Sequence, residues 1–363
     1  MPDQLSIAMF GSSLVSSYRN GAATYFRGIL RALAARGHRI RFYEPDALDR
    51  QKHRDIADPP WAIVHVYQPG EAGVRAALQH ARCGSDIVIK ASGVGVDDEL
   101  LEREVAGLKS STCAAVFWDV EAPATLERMK ADPTDPFRAL VPKFDMVLTH
   151  GGGPRVLEGY RAFHARDCVP IYSALDPVTH HQEAPQSRYA ADLAFLGNRL
   201  PDRESRVHEF FFKPAIQMPG CSFILGGSGW DAGPPNVRLL GHVPTAEHNA
   251  LNCSPRLVLS VNRDSMARYG FSPPTRVFEA GGAGACLIVD RWEGIGMFLE
   301  PGREVLVADD GDMVAEYVHG IGEAQARAIG RRARQRLLKE HTYVLRAEQV
   351  EAALLGRQLV EAA

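Results

Sequence analysis

Charge of one sign, long apolar runs and paired cysteines are all scarce in this chain. Lys and Arg number 41 against 44 Asp and Glu in 363 residues, a net charge of −3. So small an imbalance gives no reason to expect bulk nucleic acid or an anionic membrane as a partner. No apolar run approaches the roughly 18 residues of a membrane-spanning helix. Met1-Pro2-Asp3-Gln4 also lacks the layout of a signal peptide. The six cysteines, at 83, 113, 168, 221, 253 and 286, contain no C-x-x-C pair. They read as small core residues in a reducing cytoplasm, not as a disulfide frame or a zinc site. Repeats and low-complexity segments are absent too. What remains is a chain of ordinary globular composition, long enough for two domains that each bury a core.

Apolar, β-branched runs alternate with helix-like runs throughout, the pattern of parallel sheets covered on both faces. The runs predict strands at 6–11, 39–44, 62–68, 86–92, 114–120 and 145–150 in the first half. In the second half they predict strands at 192–197, 222–227, 237–241, 256–261, 286–290 and 304–308. The polar, Pro- and His-bearing stretch Asp176–Tyr189 between the two sets is the best linker candidate. Two doubly wound α/β domains are therefore expected, residues 1–175 and 190–343. In such sheets ligands sit beyond the carboxyl ends of the strands, so the loops after strands are where chemistry is sought.

The first such loop runs from Gly11 to Gly21 and opens a strong helix, Ala22 to Arg36. Its Asn20-Gly21 end suits an anion or a sugar, and a plain connection fits equally well. Later strand ends carry Lys90-Ala-Ser92-Gly93, Trp118-Asp119-Val-Glu121 and His150-Gly-Gly-Gly153. Asp119 and Glu121 alternate along the chain, so both are expected on one face, as a paired-carboxylate base or as solvated acids. His180 and His181 have no third metal ligand at useful spacing and are read as solvated. Asp309-Asp310-Gly311-Asp312 lacks the remaining ligands of a calcium loop and reads as an acidic helix start.

In the second half a strand ends at Gly197-Asn198-Arg199, with Asp202-Arg203 beyond it and an amphipathic helix near Glu204–Phe212. Arginines at a strand's carboxyl end suit a diphosphate, although Arg203 has Glu204 as an alternative partner. Gly226-Gly-Ser-Gly229-Trp230 is a Gly-rich turn without the spacing of a dinucleotide or P-loop fingerprint. Gly241-His242-Val243-Pro244 follows another strand. At the next one, Asn262 and Arg263 either bond a ligand or form a plain exposed turn.

The densest signal lies at 270–290, Gly-Phe-Ser-Pro-Pro-Thr-Arg-Val-Phe-Glu-Ala-Gly-Gly-Ala-Gly-Ala-Cys-Leu-Ile-Val-Asp. Ser272 is expected as a helix N-cap and Pro273 as the first helical residue. That leaves Thr275 and Arg276 as open N–H donors, a site suited to phosphate together with the Arg276 guanidinium. Glu279 falls one turn on, on the face of Arg276. Gly281, Gly282 and Gly284 are expected to close the helix before an apolar strand. A surface Arg–Glu pair explains two of these residues. The coincidence of turn, acid and Gly cluster in one unit favours a ligand site.

This run resembles the nucleotide-sugar site of GT-B glycosyltransferases, in particular the group 1 enzymes and their CgeB-like (spore maturation) branch. The likeness covers about 190–345, with a weaker match at 6–45. It implies two Rossmann-like domains with a cleft between them, and a final helix, within 344–363, that crosses back to the first. It implies a nucleotide diphosphate sugar, UDP-sugar first, as co-substrate, with no cofactor and no metal. Glu279 would hold the ribose hydroxyls, while Arg199, Arg276 and Thr275 would meet the diphosphate. Backbone groups of His242 and Val243 would lie beside the base, and Asn20 and Gly21 near the sugar and acceptor. Ser272, Gly197, Asn198, Asn262 and Arg263 complete the expected donor set. Many group 1 enzymes carry an acid eight positions before Glu279, where this chain has Phe271. The likeness leans to retention of configuration, and that departure leaves inversion open, with Asp119 as acceptor-side base. Saccharide, lipid, peptide and modified nucleic-acid bases all stay open as acceptors. An epimerase of the same architecture, or a non-catalytic nucleotide-sugar binding protein, is the alternative.

Overall fold

The computed structural model describes residues 4–18 and 20–356. Met1-Pro2-Asp3, Arg19 in the first loop and 357–363 at the end of the expected crossover helix lie outside the described residues. The chain forms two compact units. One ends at Tyr172 and takes in the late helix Tyr343–Leu355; the other is Ser173–Thr342.

The first unit is built on β1 (Ser6–Phe10), β2 (Arg39–Pro45), β3 (Ile63–Tyr67), β4 (Ile87–Ala91), β5 (Ala114–Asp119), β6 (Met146–Thr149) and β7 (Cys168–Pro170). All are parallel, in the order β3-β2-β1-β4-β5-β6-β7. β1 lies between β2 and β4, and its Ile7, Ala8, Met9 and Phe10 are wholly buried. A strand covered on both faces needs such a continuous apolar run. Six of the strands lie where sequence predicts them; β7 is an addition. Three residues are too few to show alternation, and Pro170 is tolerated because β7 is an edge. The helix Tyr343–Leu355 packs on Ala23–Ala35. Arg36 fixes its register through Glu348 at 3.2 Å and Glu351 at 2.5 Å.

The second unit holds β8 (Leu193–Leu196), β9 (Phe223–Gly226), β10 (Val237–Gly241), β11 (Leu257–Ser260), β12 (Leu287–Asp290) and β13 (Leu306–Ala308). All six expected strands are present, in the order β10-β9-β8-β11-β12-β13. The order reverses between β8 and β11, which makes the loops after these two strands the natural ligand position. Leu193, Phe195, Leu225, Leu257, Leu259 and Ile288 form the sheet's share of the core. Over it lies a helical run from Glu204 to Gln217, longer than expected, with one π turn at His208–Phe212. Phe210, Phe211 and Phe212 are all buried there, which the wider turn allows three consecutive residues to achieve. Each contributes roughly 1.5–3 kcal/mol by its burial.

Asp176–Tyr189 is not an open linker. It belongs to the second unit and lies along the helix His248–Cys253. Asn249 bonds the Thr179 carbonyl (3.0 Å) and accepts from the His181 N–H (3.3 Å), and the Gln186 N–H donates to Ser254 (2.8 Å). Of the two histidines read as solvated, His181 is exposed, and His180 is buried.

Candidate functional site

The site in the second unit is built around the helix Thr275–Gly282. It begins two residues later than expected, with Pro274 in the cap position and an extended φ/ψ. A residue before proline is disfavoured in the α region, so Pro273 cannot open a helix ahead of Pro274. Ser272 is therefore not the N-cap. It is buried, and its hydroxyl has no hydrogen-bond partner among the described residues. Its carbonyl is held by the Asn262 side chain at 3.2 Å, and Asn262 in turn is fixed through its N–H to Asp290 at 3.0 Å. Just upstream, Phe271 has φ of +45°, a strained value for a bulky residue, locked by its N–H to the Glu293 carbonyl at 2.5 Å. Gly281 and Gly282 lie inside the helix, and Gly284, at φ +82°, makes the turn.

Glu279 points inward from this helix and is buried. Arg276 reaches it at 2.9 Å, and His180 Nε2 lies 3.8 Å away. Burial pushes the Glu279 carboxyl up, but Arg276 first, then His180 and His248, hold it below its ordinary value. His248 completes the group, with Nε2 beside the Val243 carbonyl (3.2 Å) and Nδ1 beside Arg276 Nη1 (3.5 Å). The tautomer protonated on Nε2 donates to the carbonyl and accepts from the guanidinium. A second proton would be buried against Arg276, so burial and that charge push His248 down to about 4.

Two loops close the site on the β8–β9 side. Asn198 accepts the Ser228 N–H (2.9 Å) and the Trp230 indole donates to the Gly197 carbonyl (2.8 Å). Gly227 sits at φ +130°, where a Cβ would meet the Gly197 carbonyl at 2.2 Å; only glycine fits. Arg203 folds back to bond the Asn198 carbonyl and stacks near Phe195. Burial first, then the neighbouring Arg276 guanidinium, push Arg203 down to about 10. Arg199, in contrast, is about half exposed and pairs with Glu204 at 2.7 Å. The pairing foreseen for Arg203 thus falls to Arg199, and Arg203 is the arginine gathered with Arg276. Arg263 is tied to Asp202 at 2.6 Å. His242 is exposed, and Val243 buried. Among the described residues no three His, Cys, Asp or Glu side chains gather as a metal site.

Residues 203–352 match the family model described as "Glycosyl transferase-like". No curated protein sequence matches the chain. The structure is similar to sucrose-phosphate synthase from Thermosynechococcus elongatus, with a TM-score of 0.69 at 14% identity over 99% of this chain and 100% of that one. It is similar to Anabaena HepE in complex with UDP and glucose, at 0.68 and 13% over 97% and 100%. T4 phage BGT in complex with its UDP-glucose substrate gives 0.60 and 10% over 97% and 99%. The fold is GT-B.

The first GT-B unit treats its candidate residues differently. Asn20 is buried in a bracing role: it accepts from Ser12 (2.8 Å) and donates to the carbonyls of Ser13 (2.7 Å) and Ser16 (3.0 Å). Gly21 beside it is exposed. Asp119 is wholly buried, accepting from Tyr160 (2.5 Å) and from the Glu121 N–H (2.9 Å). Asp119 and Glu121 thus do not form a shared pair: one is core and the other exposed at the head of the helix Ala122–Ala131. His150 packs edge-on against Tyr25, 4.7 Å away, and burial pushes it down to about 4.

Of the expected set, Ser272, Thr275, Arg276, Glu279, Asn262 and Val243 come together in the second unit. Two members were missed. His180 was assigned to solvent and is 5% exposed, and His248 carried no local signal. The acidic turn at Asp309–Asp312 is a helix start, with Asp310 capping the Met313 N–H at 2.9 Å. No helix among the described residues is long and apolar enough to cross a membrane.

Proposed function

We propose that the chain is a glycosyltransferase that takes its sugar from a nucleotide diphosphate donor, UDP-sugar first, in the second unit. The observation that carries this is the pairing of a buried, ionised Glu279 with crowded arginines beside it. Arg203 Nε, Arg276 Nε and the Ser272 hydroxyl have no hydrogen-bond partner among the described residues. Buried donors left unmet cost roughly 1–3 kcal/mol each, and an incoming anion satisfies them. Glu279 accepts from the ribose hydroxyls, and the Val243 backbone lies beside the base. Arg203 and Arg276, with the open N–H groups of Thr275 and Arg276, take the diphosphate.

In the reaction the bond from the sugar's anomeric carbon to the diphosphate oxygen breaks, and an acceptor oxygen (or nitrogen) forms the new one as it loses its proton. Charge gathers on the leaving diphosphate, where the two arginines stabilise it more than in the ground state. With these cations in place the transfer proceeds without a divalent metal; retention without a protein nucleophile has the acceptor attack from the face the diphosphate leaves, and the leaving diphosphate oxygen takes the acceptor's proton. UDP and a hexosyl group are favoured because HepE and BGT are described with UDP-glucose. Membership of the CgeB-like branch and a cytoplasmic location belong to the same proposal.

A thermal-shift series with UDP-, GDP-, ADP- and TDP-sugars tests it, because a ligand bound only to the native state raises Tm. A UDP-sugar is expected to stabilise the protein, and slow UDP release without acceptor, unchanged by EDTA, is expected to follow. Stabilisation by none of the four, or no UDP release, overturns the reading.

A further inference from the structure

A strand at the edge of a sheet offers unpaired N–H and C=O groups, and proteins blunt such edges with short strands, Pro, charged side chains or bulges. Three of the four sheet edges here follow that rule. β7 has three residues and ends in Pro170, β13 has three residues, all buried, and β10 carries the exposed Arg238 and a shift of register. The fourth edge, β3, does not. It has five residues, Ile-Val-His-Val-Tyr, within a run from Pro59 to Gly70 that holds no Lys, Arg, Asp or Glu. Ile63 is 61% exposed and Val66 46%.

The ladder settles which backbone groups face outward. The Tyr67 carbonyl accepts from the Asp46 N–H at 2.8 Å, so Tyr67 turns its polar groups to β2, and by the two-residue period of a strand so do His65 and Ile63. Val64 and Val66 turn theirs to the open side. We propose that this edge pairs with the same edge of a second copy of the chain, antiparallel about a twofold axis at His65, and continues the seven-stranded sheet into its partner. In that register Val64 lies opposite Val66 of the other copy and exchanges both N–H···O bonds with it, and the twofold repeats the pair. It is the register that pairs the two outward valines with each other.

The side chains suit the same pairing. The valines meet on one face, and on the other Ile63 lies opposite Tyr67, an apolar–aromatic cross-strand pair. His65 lies opposite its own copy. The two histidines meet uncharged at neutral pH, because burial first, then His80 and Arg41, hold His65 below its ordinary value. Charge favours the antiparallel sense as well. The Arg54–Asp58 pair (2.5 Å) precedes β3 and the Glu71–Arg75 pair (2.9 Å) follows it, so the twofold sets an acid and a base of one copy beside an acid and a base of the other. An edge that complements itself in backbone, apolar side chains and charge has this chain as its occupant. The pairing is independent of the nucleotide-sugar reading.

Analytical ultracentrifugation of the full-length protein at micromolar concentration tests it. Wild type is expected to sediment at twice the mass of one chain. Ile63→Lys and Val66→Lys each put a charge at an exposed edge position, and each is expected to raise the dimer dissociation constant at least tenfold with native circular dichroism retained. Residues opposite one another in a non-hydrogen-bonded antiparallel pair have Cα atoms about 4.5 Å apart, within reach of a disulfide. His65→Cys in a Cys83→Ser background is therefore expected to give a covalent dimer on mild oxidation, and Val237→Cys, on the edge strand β10, none. A monomeric wild type overturns the proposal. A dimer that either lysine variant leaves intact has its interface elsewhere and overturns it too, as does a wild-type dimer without the His65→Cys crosslink, which has another register.

Discussion

The two GT-B units share the order of six strands and differ in how the groups singled out for chemistry are bonded. In the first, the groups singled out for chemistry bond one another: Asn20 braces Ser12, Ser13 and Ser16, and Asp119 is held by Tyr160 and the Glu121 N–H. Lys90, also wholly buried, is paired with Asp98 and lies 3.7 Å from Glu102. In the second, Arg203 and Arg276 crowd each other, and Ser272 keeps an unmet hydroxyl. A polar network satisfied within the protein is scaffold, because a ligand would have to displace bonds already made. Buried donors that lack partners, beside a carboxylate kept ionised, have binding capacity to spare. Residue type alone does not separate these cases, since both regions hold acids, arginines and Gly-rich turns.

The sharpest way to break the comparison is at the arginines. Arg203→Ala and Arg276→Ala are each expected to lower kcat by about 10²–10³, the cost of losing one transition-state charge contact. Arg199→Ala, paired with Glu204 at the surface, is expected to change it less than threefold. Steady-state kinetics on the three variants decides, and the reverse order would move the diphosphate to Arg199. Glu279→Ala comes next. Loss of a charged hydrogen-bond acceptor, roughly 1.5–3 kcal/mol, is expected to raise the donor KM about tenfold to a hundredfold, with Tm lowered because Arg276 loses its buried partner. An unchanged KM would remove the ribose role.

On the scaffold side, Asp119→Ala is expected to lower stability by about 2 kcal/mol, since it leaves Tyr160 and the Glu121 N–H without their acceptor. UDP affinity is expected to stay within threefold by calorimetry; a larger change would bring Asp119 into the chemistry. The smallest effect concerns pH. His248 is held near 4 in the fold against an unfolded value of about 6.5, so the unfolded chain binds more protons between these values. Its contribution to stability is therefore present above about pH 6.5 and declines as pH falls toward 4. Urea unfolding at pH 7 and pH 5 is expected to show a smaller drop in His248→Asn than in wild type. Equal drops would place the proton elsewhere.

Much of the framework was legible in sequence. Twelve expected strands are present because buried parallel strands require apolar, β-branched runs, and Arg276 and Glu279 share a face because helical spacing puts them there. Less legible was whatever depended on which polar group meets which. Asp176–Tyr189 looks like a solvated linker, yet His180 reaches Glu279 from it. Arg199 and Arg203 are equivalent in the sequence, and Glu204 is near enough to pair with either. Ser272 looked like a cap until Pro273 and Pro274 are considered together.

The sequence by itself determined the two parallel sheets, the helix that carries Arg276 and Glu279, and the glycines that let loops approach one another. Those follow from local backbone preference and the period of apolar residues. Only the tertiary structure decided that Asp119 and Asn20 bond within their own unit, while Arg203, Arg276 and Ser272 keep unmet donors. Hydrogen-bond satisfaction depends on partners far away along the chain, as Glu351 is from Arg36, and no spacing rule encodes it.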